Sequence, residues 1–250
     1  MEIDKILSRI DINTQNIEIT LDNLKILQEA YILNVPYENL DFVLNKSFSV
    51  NIFRIYEKIV ENNRGGVCYE SNTLFAYLLN TIGFNTKMIF AKIDDLTYIG
   101  KDYPHLTLIV SLDDKEYLVD VANGQNVREP MDIEDESFIS TAENRDYRIK
   151  KNKDSYTLEF NHHHKGWTPR YHFTKEEKNV GDFEGVFKDE ENMEHFSNHA
   201  PLLVTQALKN GRVTLTDELM TLKENENKKS WNISLENRAE VLRDYFKMEI

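Results

Sequence analysis

Cys68 is the sole cysteine among 250 residues, and it stands where a glycine pair hands over to a helical pattern, in Arg64-Gly65-Gly66-Val67-Cys68-Tyr69-Glu70-Ser71-Asn72. Downstream, Leu74, Phe75, Leu78, Leu79 and Ile82 recur at helical spacing, and Gly83 can close the helix. The sulfur therefore falls in a first helical turn, where unpaired N–H groups and the helix dipole favour an anion. This predicts a stabilised thiolate with a lowered pKa, and Arg64 adds positive charge nearby. A lone cysteine is equally a small core filler, so a nucleophile reading requires a histidine.

His105 is the histidine. It opens the β-rich run His105-Leu106-Thr107-Leu108-Ile109-Val110-Ser111-Leu112, which is followed by Asp113-Asp114 and then Glu116-Tyr117-Leu118-Val119-Asp120-Val121. With Asp113 and Asp114 as central turn residues, Leu112 pairs with Lys115 and Val110 with Tyr117. Continuing the register sets Thr107 opposite Asp120 and His105 opposite Ala122, so His105 and Asp120 are diagonal neighbours on one face. A carboxylate that accepts from one ring nitrogen fixes the tautomer and leaves the other nitrogen for a thiol proton. A structural His–Asp pair has the same pattern, and nothing in the spacing alone brings Cys68 to it.

Helical segments precede this unit: one through Ile6 and Ile10, one from Leu21 through Ile32 that Pro36 ends, a third through Ile52, Ile55 and Ile59, and then the cysteine helix. From Thr86 to about Phe173 the pattern turns strand-like, with Lys87–Ile93, the histidine hairpin, Tyr147–Ile149, Tyr156–Phe160 and Trp167–Phe173, which predicts a compact antiparallel sheet or barrel. The last third holds the run Leu202–Leu208, a strand at Gly211-Arg212, a charged stretch Lys223–Lys229 read as an exposed turn, and a helix capped by Ser234 with Leu235, Ala239, Leu242 and Phe246 as its apolar stripe.

The segment Arg64–Asn72 resembles the RGGxCxExN signature of the arylamine N-acetyltransferase family. Other stretches agree in order: Val35-Pro36-Tyr37-Glu38-Asn39-Leu40-Asp41 resembles the family's PFENL segment, His105–Leu108 its histidine strand, Val119-Asp120-Val121 its aspartate strand, and Gly211-Arg212-Val213-Thr214-Leu215 a GRxTL segment near the end. The resemblance implies a triad of Cys68, His105 and Asp120. It further implies that Val67, Tyr69, Thr107, Ala122, Asn123 and Gly124 meet substrate or CoA, and that Arg64, Glu38, Asn39, Glu70 and Asn72 support the site, Glu38 and Asn39 by bracing the cysteine loop. The implied fold is α+β: an N-terminal helical bundle (1–85) carrying Cys68, a central antiparallel β-barrel (86–181) carrying His105 and Asp120, and a C-terminal α/β lid (182–250) around a cysteine-protease-like core. The implied reaction is ping-pong, with acetyl-CoA as acyl donor, no permanently bound cofactor, and an arylamine, arylhydrazine or related amine as acceptor.

Two departures bear on substrate. The family continues its aspartate as DVGFG, whereas this chain has Asp120-Val121-Ala122-Asn123-Gly124, which makes the pocket more polar. His195-Phe196-Ser197-Asn198-His199-Ala200-Pro201 stands where relatives carry a Ser-Thr-rich segment associated with CoA.

The net charge of −13 argues against a nucleic-acid or anionic-membrane partner. One cysteine permits no internal disulfide, the acidic start lacks a signal-peptide pattern, and no apolar run approaches the roughly 18 residues of a spanning helix. A cytoplasmic protein is expected, with the Asn232-Ile233-Ser234 sequon idle. His162-His163-His164 alternate faces if extended, and His195 and His199 lack an HExxH context, so no metal is expected. Other readings are an amide synthase or other acyltransferase of the same family, a cysteine hydrolase or transglutaminase-like enzyme with the same triad order, and a catalytically silent small-molecule binding homologue.

Overall fold

The computed structural model describes residues 1–13, 16–44, 46, 49–93, 105–122, 127–162, 165–179, 181–182 and 201–248. The chain opens with helices α1 (Ile3–Arg9) and α2 (Leu21–Asn34). Thr20 caps α2 through its hydroxyl, which accepts from Asn23 N–H at 3.3 Å. The helix stops before Val35-Pro36, because proline forces the preceding residue into the extended region, where Val35 lies at φ −115 and ψ 110. A two-residue strand, β1 (Tyr37–Glu38), and the short helix α3 (Leu40–Val43) follow.

The helix expected through Ile52, Ile55 and Ile59 is instead two pieces, α4 (Ile52–Tyr56) and a π-helical turn (Glu57–Glu61). Asn62 N–H donates to Glu57 O at 2.8 Å, five residues back. The widened turn lets two consecutive side chains point inward: Ile59 has no exposed surface and Lys58 is 14% exposed. Helix α5 (Cys68–Ile82) then ends on Gly83 at φ +118, the left-handed conformation that glycine adopts without strain.

Eight antiparallel strands form the larger sheet, in the order β5-β4-β3-β2-β9-β8-β7-β6. They are β2 (Asn85–Ile93), β3 (His105–Leu112), β4 (Lys115–Val119), β5 (Met131–Asp132), β6 (Ser140–Ala142), β7 (Arg145–Lys151), β8 (Tyr156–His162) and β9 (Trp167–Lys178). Strand β9 runs five residues past the expected end at Phe173, pairing along β2 as far as Met88 with Lys178. The sheet curls until β5 meets β7, enclosing Ile89, Ile109, Met131, Tyr147, Ile149, Leu158, Tyr171 and Phe173. Strand β3 is buried on both faces: Ile109 points into this barrel, while Leu108 and Val110 pack on the helices with Leu74, Phe75 and Leu78.

The hairpin β3–β4 has the expected register, Leu112 with Lys115 and Val110 with Tyr117, around Asp113 and Asp114 at φ 50 and 61. Ladder pairing ends at Leu108 with Val119, so the continued backbone pairs Thr107–Asp120 and His105–Ala122 do not form. The cause is local. Asp120 Oδ1 accepts Ala122 N–H at 3.0 Å, an Asx-type turn that bends the chain away from β3.

A second sheet, β1-β10-β11-β12-β13, is built from β10 (Leu203–Leu208), β11 (Gly211–Thr216), β12 (Leu219–Glu224) and β13 (Asn227–Asn232), and it takes its first strand from the N-terminal segment. The stretch Lys223–Lys229 is mostly strand rather than turn, since only Asn225 and Glu226 lie between β12 and β13. Lys228 and Lys229 stand on the exposed edge strand β13, where charge discourages pairing with other chains. Ser234 caps a 3₁₀ turn (Leu235–Asn237) that leads into α6 (Arg238–Phe246). The tighter turn shifts the helical phase, so Leu235 is 62% exposed and Ala239 also faces solvent. Val241, Leu242 and Phe246 make the buried stripe instead.

Candidate active site

Cys68 is the first residue of α5, and Val67 is its N-cap. Two glycines let the preceding loop pass through a narrow space: a Cβ on Gly65 would lie 2.2 Å from Pro36 O, and one on Gly66 would lie 2.9 Å from Glu70 Cβ and 3.2 Å from Ile59 Cδ1. The loop is stitched to β1 by Gly66 N–H donating to Pro36 O at 3.2 Å and Glu38 N–H donating to Gly66 O at 3.3 Å. Cys68 is 4% exposed and belongs to an apolar cluster with Phe42, Val50, Val67, Tyr69, Leu106 and Ala122, flanked by half-buried Tyr37, Met88 and Phe90.

His105 Nε2 lies 2.7 Å from Asp120 Oδ2, with both side chains 2% exposed. That leaves Nδ1 for Cys68, the second hydrogen-bonding partner of the imidazole. Burial opposes a charge on His105 most strongly, yet the Asp120 carboxylate and Cys68 together lift its pKa to about 10. Burial likewise opposes ionisation of Asp120, but His105 and the hydrogen bonds from Ala122 and Asn72 hold its carboxyl below the usual range. At neutral pH this is an imidazolium between two anion-forming groups, the arrangement that activates a cysteine nucleophile.

Asn72 joins the three segments. Its Nδ2 donates to Leu106 O at 2.8 Å and to Asp120 Oδ1 at 3.1 Å, while its Oδ1 accepts Val121 N–H at 3.1 Å. One turn of α5 separates it from Cys68, so a single helix positions both the nucleophile and the carboxylate. Tyr171 on β9 completes the surround, its hydroxyl donating to Asp120 Oδ2 at 3.2 Å and its ring lying 5.3 Å from the imidazole at 37°.

Behind the cysteine loop lies a knot of charges. Arg64 donates to Glu38 Oε1 from Nε at 3.1 Å and from Nη2 at 2.7 Å, and to Asp41 Oδ1 at 3.0 Å. Its guanidinium is thereby committed to these carboxylates, so the expectation that Arg64 lends charge to the thiolate is corrected: its own loop turns it away to neutralise Glu38, which has no exposed surface. Glu70 accepts Val67 N–H at 3.0 Å and Lys58 Nζ at 2.8 and 3.0 Å. Asn39 does not brace this loop. Its Nδ2 donates to Pro201 O at 2.8 Å and its Oδ1 accepts Leu203 N–H at 2.7 Å, because β1 hands the chain to the C-terminal sheet at this point.

Among the residues expected to meet substrate, Val67, Tyr69 and Ala122 lie in the cluster around Cys68. Thr107 is placed differently: it has no exposed surface and its hydroxyl donates to Val119 O at 3.0 Å, closing the end of the hairpin beneath the His–Asp pair. Asn123 and Gly124 lie outside the described residues, as do His163, His164 and His195–Ala200. Among the described residues no group of three metal-ligating side chains occurs. Sequence reasoning missed Lys58, Asp41 and Tyr171. Only Tyr171 left a signal, the inward alternation of Tyr171 and Phe173 along β9.

A family model described as N-acetyltransferase matches residues 20–250. An arylamine N-acetyltransferase of Escherichia coli K12 is 28% identical over 217 residues, covering 83% of this chain and 74% of that protein. The structure of a Bacillus cereus arylamine N-acetyltransferase with a Cys-His-Glu triad superimposes with a TM-score of 0.85 at 21% identity, covering 100% of both chains. The structure of the Mycobacterium marinum arylamine N-acetyltransferase in complex with CoA gives 0.84 at 21% identity, covering 99% of this chain and 93% of that one.

Proposed function

The chain belongs to the arylamine N-acetyltransferase family, and from that premise we propose that it carries an acetyl group from acetyl-CoA, through a thioester on Cys68, to an arylamine, arylhydrazine or related amine. The observation that carries the assignment is the contact of Cys68, His105 and Asp120 at the start of α5. In the first half-reaction the Cys68 thiolate adds to the acetyl carbonyl carbon. Collapse of the tetrahedral species forms the Cys68 thioester and breaks the bond to the CoA sulfur, which takes the proton from the His105 imidazolium. In the second, the acceptor nitrogen attacks the thioester carbonyl, neutral His105 removes the amine proton, and Cys68 leaves as thiolate beside a restored imidazolium. Asp120 stays ionised throughout and holds the ring by its Nε2 proton.

The apolar wall of Tyr37, Phe42, Tyr69, Phe90 and Leu106 supports an aromatic acceptor, since such rings pack favourably on one another. In the Mycobacterium marinum relative CoA is present in the complex, which supports the same donor here. The partners we assign are therefore small molecules, and the acidic net charge supports neither a nucleic-acid nor an anionic-membrane partner. No helix among the described residues is long and apolar enough to cross a membrane. We place the protein in the cytoplasm, where its one thiol stays reduced.

The test is intact mass after mixing with acetyl-CoA. One acetyl group should appear on wild type, be absent from Cys68→Ala, and be discharged by an arylamine. A wild-type protein that gains no acetyl group would overturn the assignment.

A further inference from the structure

The charges behind the cysteine loop take no part in the acyl-transfer steps, yet one of them is wired to the nucleophile. Val67 has no side-chain oxygen, so the cap that Ser or Asp would supply at this helix start is missing. Glu70 supplies the reverse bond, accepting Val67 N–H one residue ahead of the sulfur. That carboxylate is 3% exposed, and a buried carboxylate persists only if it is paired. Lys58 Nζ pairs it at 2.8 and 3.0 Å, while also reaching Asp41 Oδ2 at 2.7 Å and Glu38 Oε1 at 3.5 Å.

The π-helical turn brings Lys58 inward beside Ile59, and Arg64 N–H donates to Lys58 O at 3.0 Å, so the lysine also anchors the start of the loop. Among the described residues, the groups that act electrostatically with Glu70 include Lys58 from this turn, Glu38 and Tyr37 from β1, and Tyr31 from α2. Lys58 is the cation among them. Arg64 is spent on Glu38 and Asp41.

We propose that Lys58 is a positioning residue for the nucleophile: it holds Glu70 as a carboxylate, Glu70 fixes the Val67 peptide, and the fixed peptide sets Cys68 against His105. Burial holds the Glu70 carboxyl above its usual range, and Lys58, opposing it, keeps the rise in check. Without the lysine, Glu70 takes a proton nearer to neutral pH and its bond to Val67 N–H loses its charge assistance. The loop then holds Cys68 loosely below the new Glu70 pKa and firmly above it. Only the acetylation readout rests on the acyl-transfer reading; alkylation of the sole cysteine does not.

The experiment compares wild type, Lys58→Met, Lys58→Arg, Glu70→Gln and the Lys58→Met/Glu70→Gln double variant. Iodoacetamide alkylation of Cys68 is followed from pH 5 to 9 (about this span brackets the carboxyl and imidazole ranges), beside single-turnover acetylation by acetyl-CoA and thermal melts. Lys58→Met should react about 10–100-fold more slowly at neutral pH, with its acid limb moved upward. The KM for acetyl-CoA should change little, and Lys58→Arg should restore part of the rate. Glu70→Gln keeps an oxygen for Val67 N–H and needs no cation, so the double variant should lose the upward shift.

A folded Lys58→Met protein with the wild-type profile overturns the proposal, as does a double variant that keeps the shift. If Lys58→Met does not fold, the double variant is compared with Glu70→Gln alone. Matching profiles support the proposal, and a double variant slower by about tenfold or more overturns it. Failure of wild type to be acetylated, with alkylation behaving as described, would count against the acyl donor and leave Lys58 in its role.

Discussion

The two flanks of Cys68 are held by different physics. Behind it, Glu38, Asp41 and Glu70 meet Lys58 and Arg64, full charges packed where little solvent reaches. In front, the Asp120 carboxylate is surrounded by neutral donors, Asn72, Ala122 N–H and Tyr171, with His105 as its cationic partner among the described residues. The difference teaches what each flank must do. Ion pairs fix a scaffold without moving, whereas the reacting flank must let one proton shift between sulfur, imidazole and leaving group, and a second fixed cation there would pin Asp120 and weaken its hold on His105. Neutral hydrogen bonds orient the carboxylate and leave its charge to the histidine.

The largest effects should come from removing the reacting groups. Cys68→Ala and His105→Ala should abolish acetyl transfer; Cys68→Ala strands no charge and should keep native circular dichroism, while His105→Ala leaves Asp120 to the neutral donors Asn72, Ala122 N–H and Tyr171 and should fold with a lower melting temperature. Asp120→Asn should fold but lose about 10³–10⁴ in turnover, as the amide favours the wrong tautomer and offers no stabilisation to the imidazolium. Near-native turnover in that variant would remove Asp120 from the mechanism. On the rear flank the loss should appear as stability. Arg64→Ala leaves buried Glu38 with only the longer contact to Lys58 and the Leu40 N–H, so urea unfolding should show about 3 kcal/mol lost.

Tyr171→Phe sharpens the contrast from the front. It deletes one neutral bond to Asp120 while keeping the ring against His105, and should cost about 1 kcal/mol, seen as a severalfold fall in kcat/KM. The smallest effect is electrostatic. Cys68 is one of the groups that raise His105 to about 10, so in Cys68→Ala the imidazole should titrate lower by ¹⁵N NMR. The sign for stability follows from the raised pKa. His105 contributes stability that is complete below its ordinary 6.5 and fades as pH rises through about 10, and in Cys68→Ala the contribution should be smaller and its fading complete at lower pH.

Legibility followed the same divide. The hairpin register and the neighbourhood of His105 and Asp120 were readable because strand alternation and a two-residue turn fix them locally. The meeting with Cys68 was carried by motif resemblance alone, since it depends on where α5 docks across β3. The rear flank was least readable. Lys58 looks like any surface lysine beside an apolar residue, and only the π-helical turn carries it inward. Arg64 read as a charge for the thiolate because sequence proximity says nothing of Glu38, a partner 26 positions away. Leu235 was assigned to an apolar stripe because a 3₁₀ turn leaves no mark on helical periodicity.

The pairing of β1 with β10 bears on the order of synthesis. Tyr37 and Glu38 pair with Thr205 and Val204, and β1 is also the strand to which Gly66 is bonded. All three reacting residues lie at or before Asp120 in the chain, yet the strand that braces their loop from the other side comes more than eighty residues later. A nascent chain therefore carries its complete chemistry while its nucleophile loop still lacks this brace. The nucleophile loop is therefore braced from both sides only when the C-terminal sheet has closed on β1.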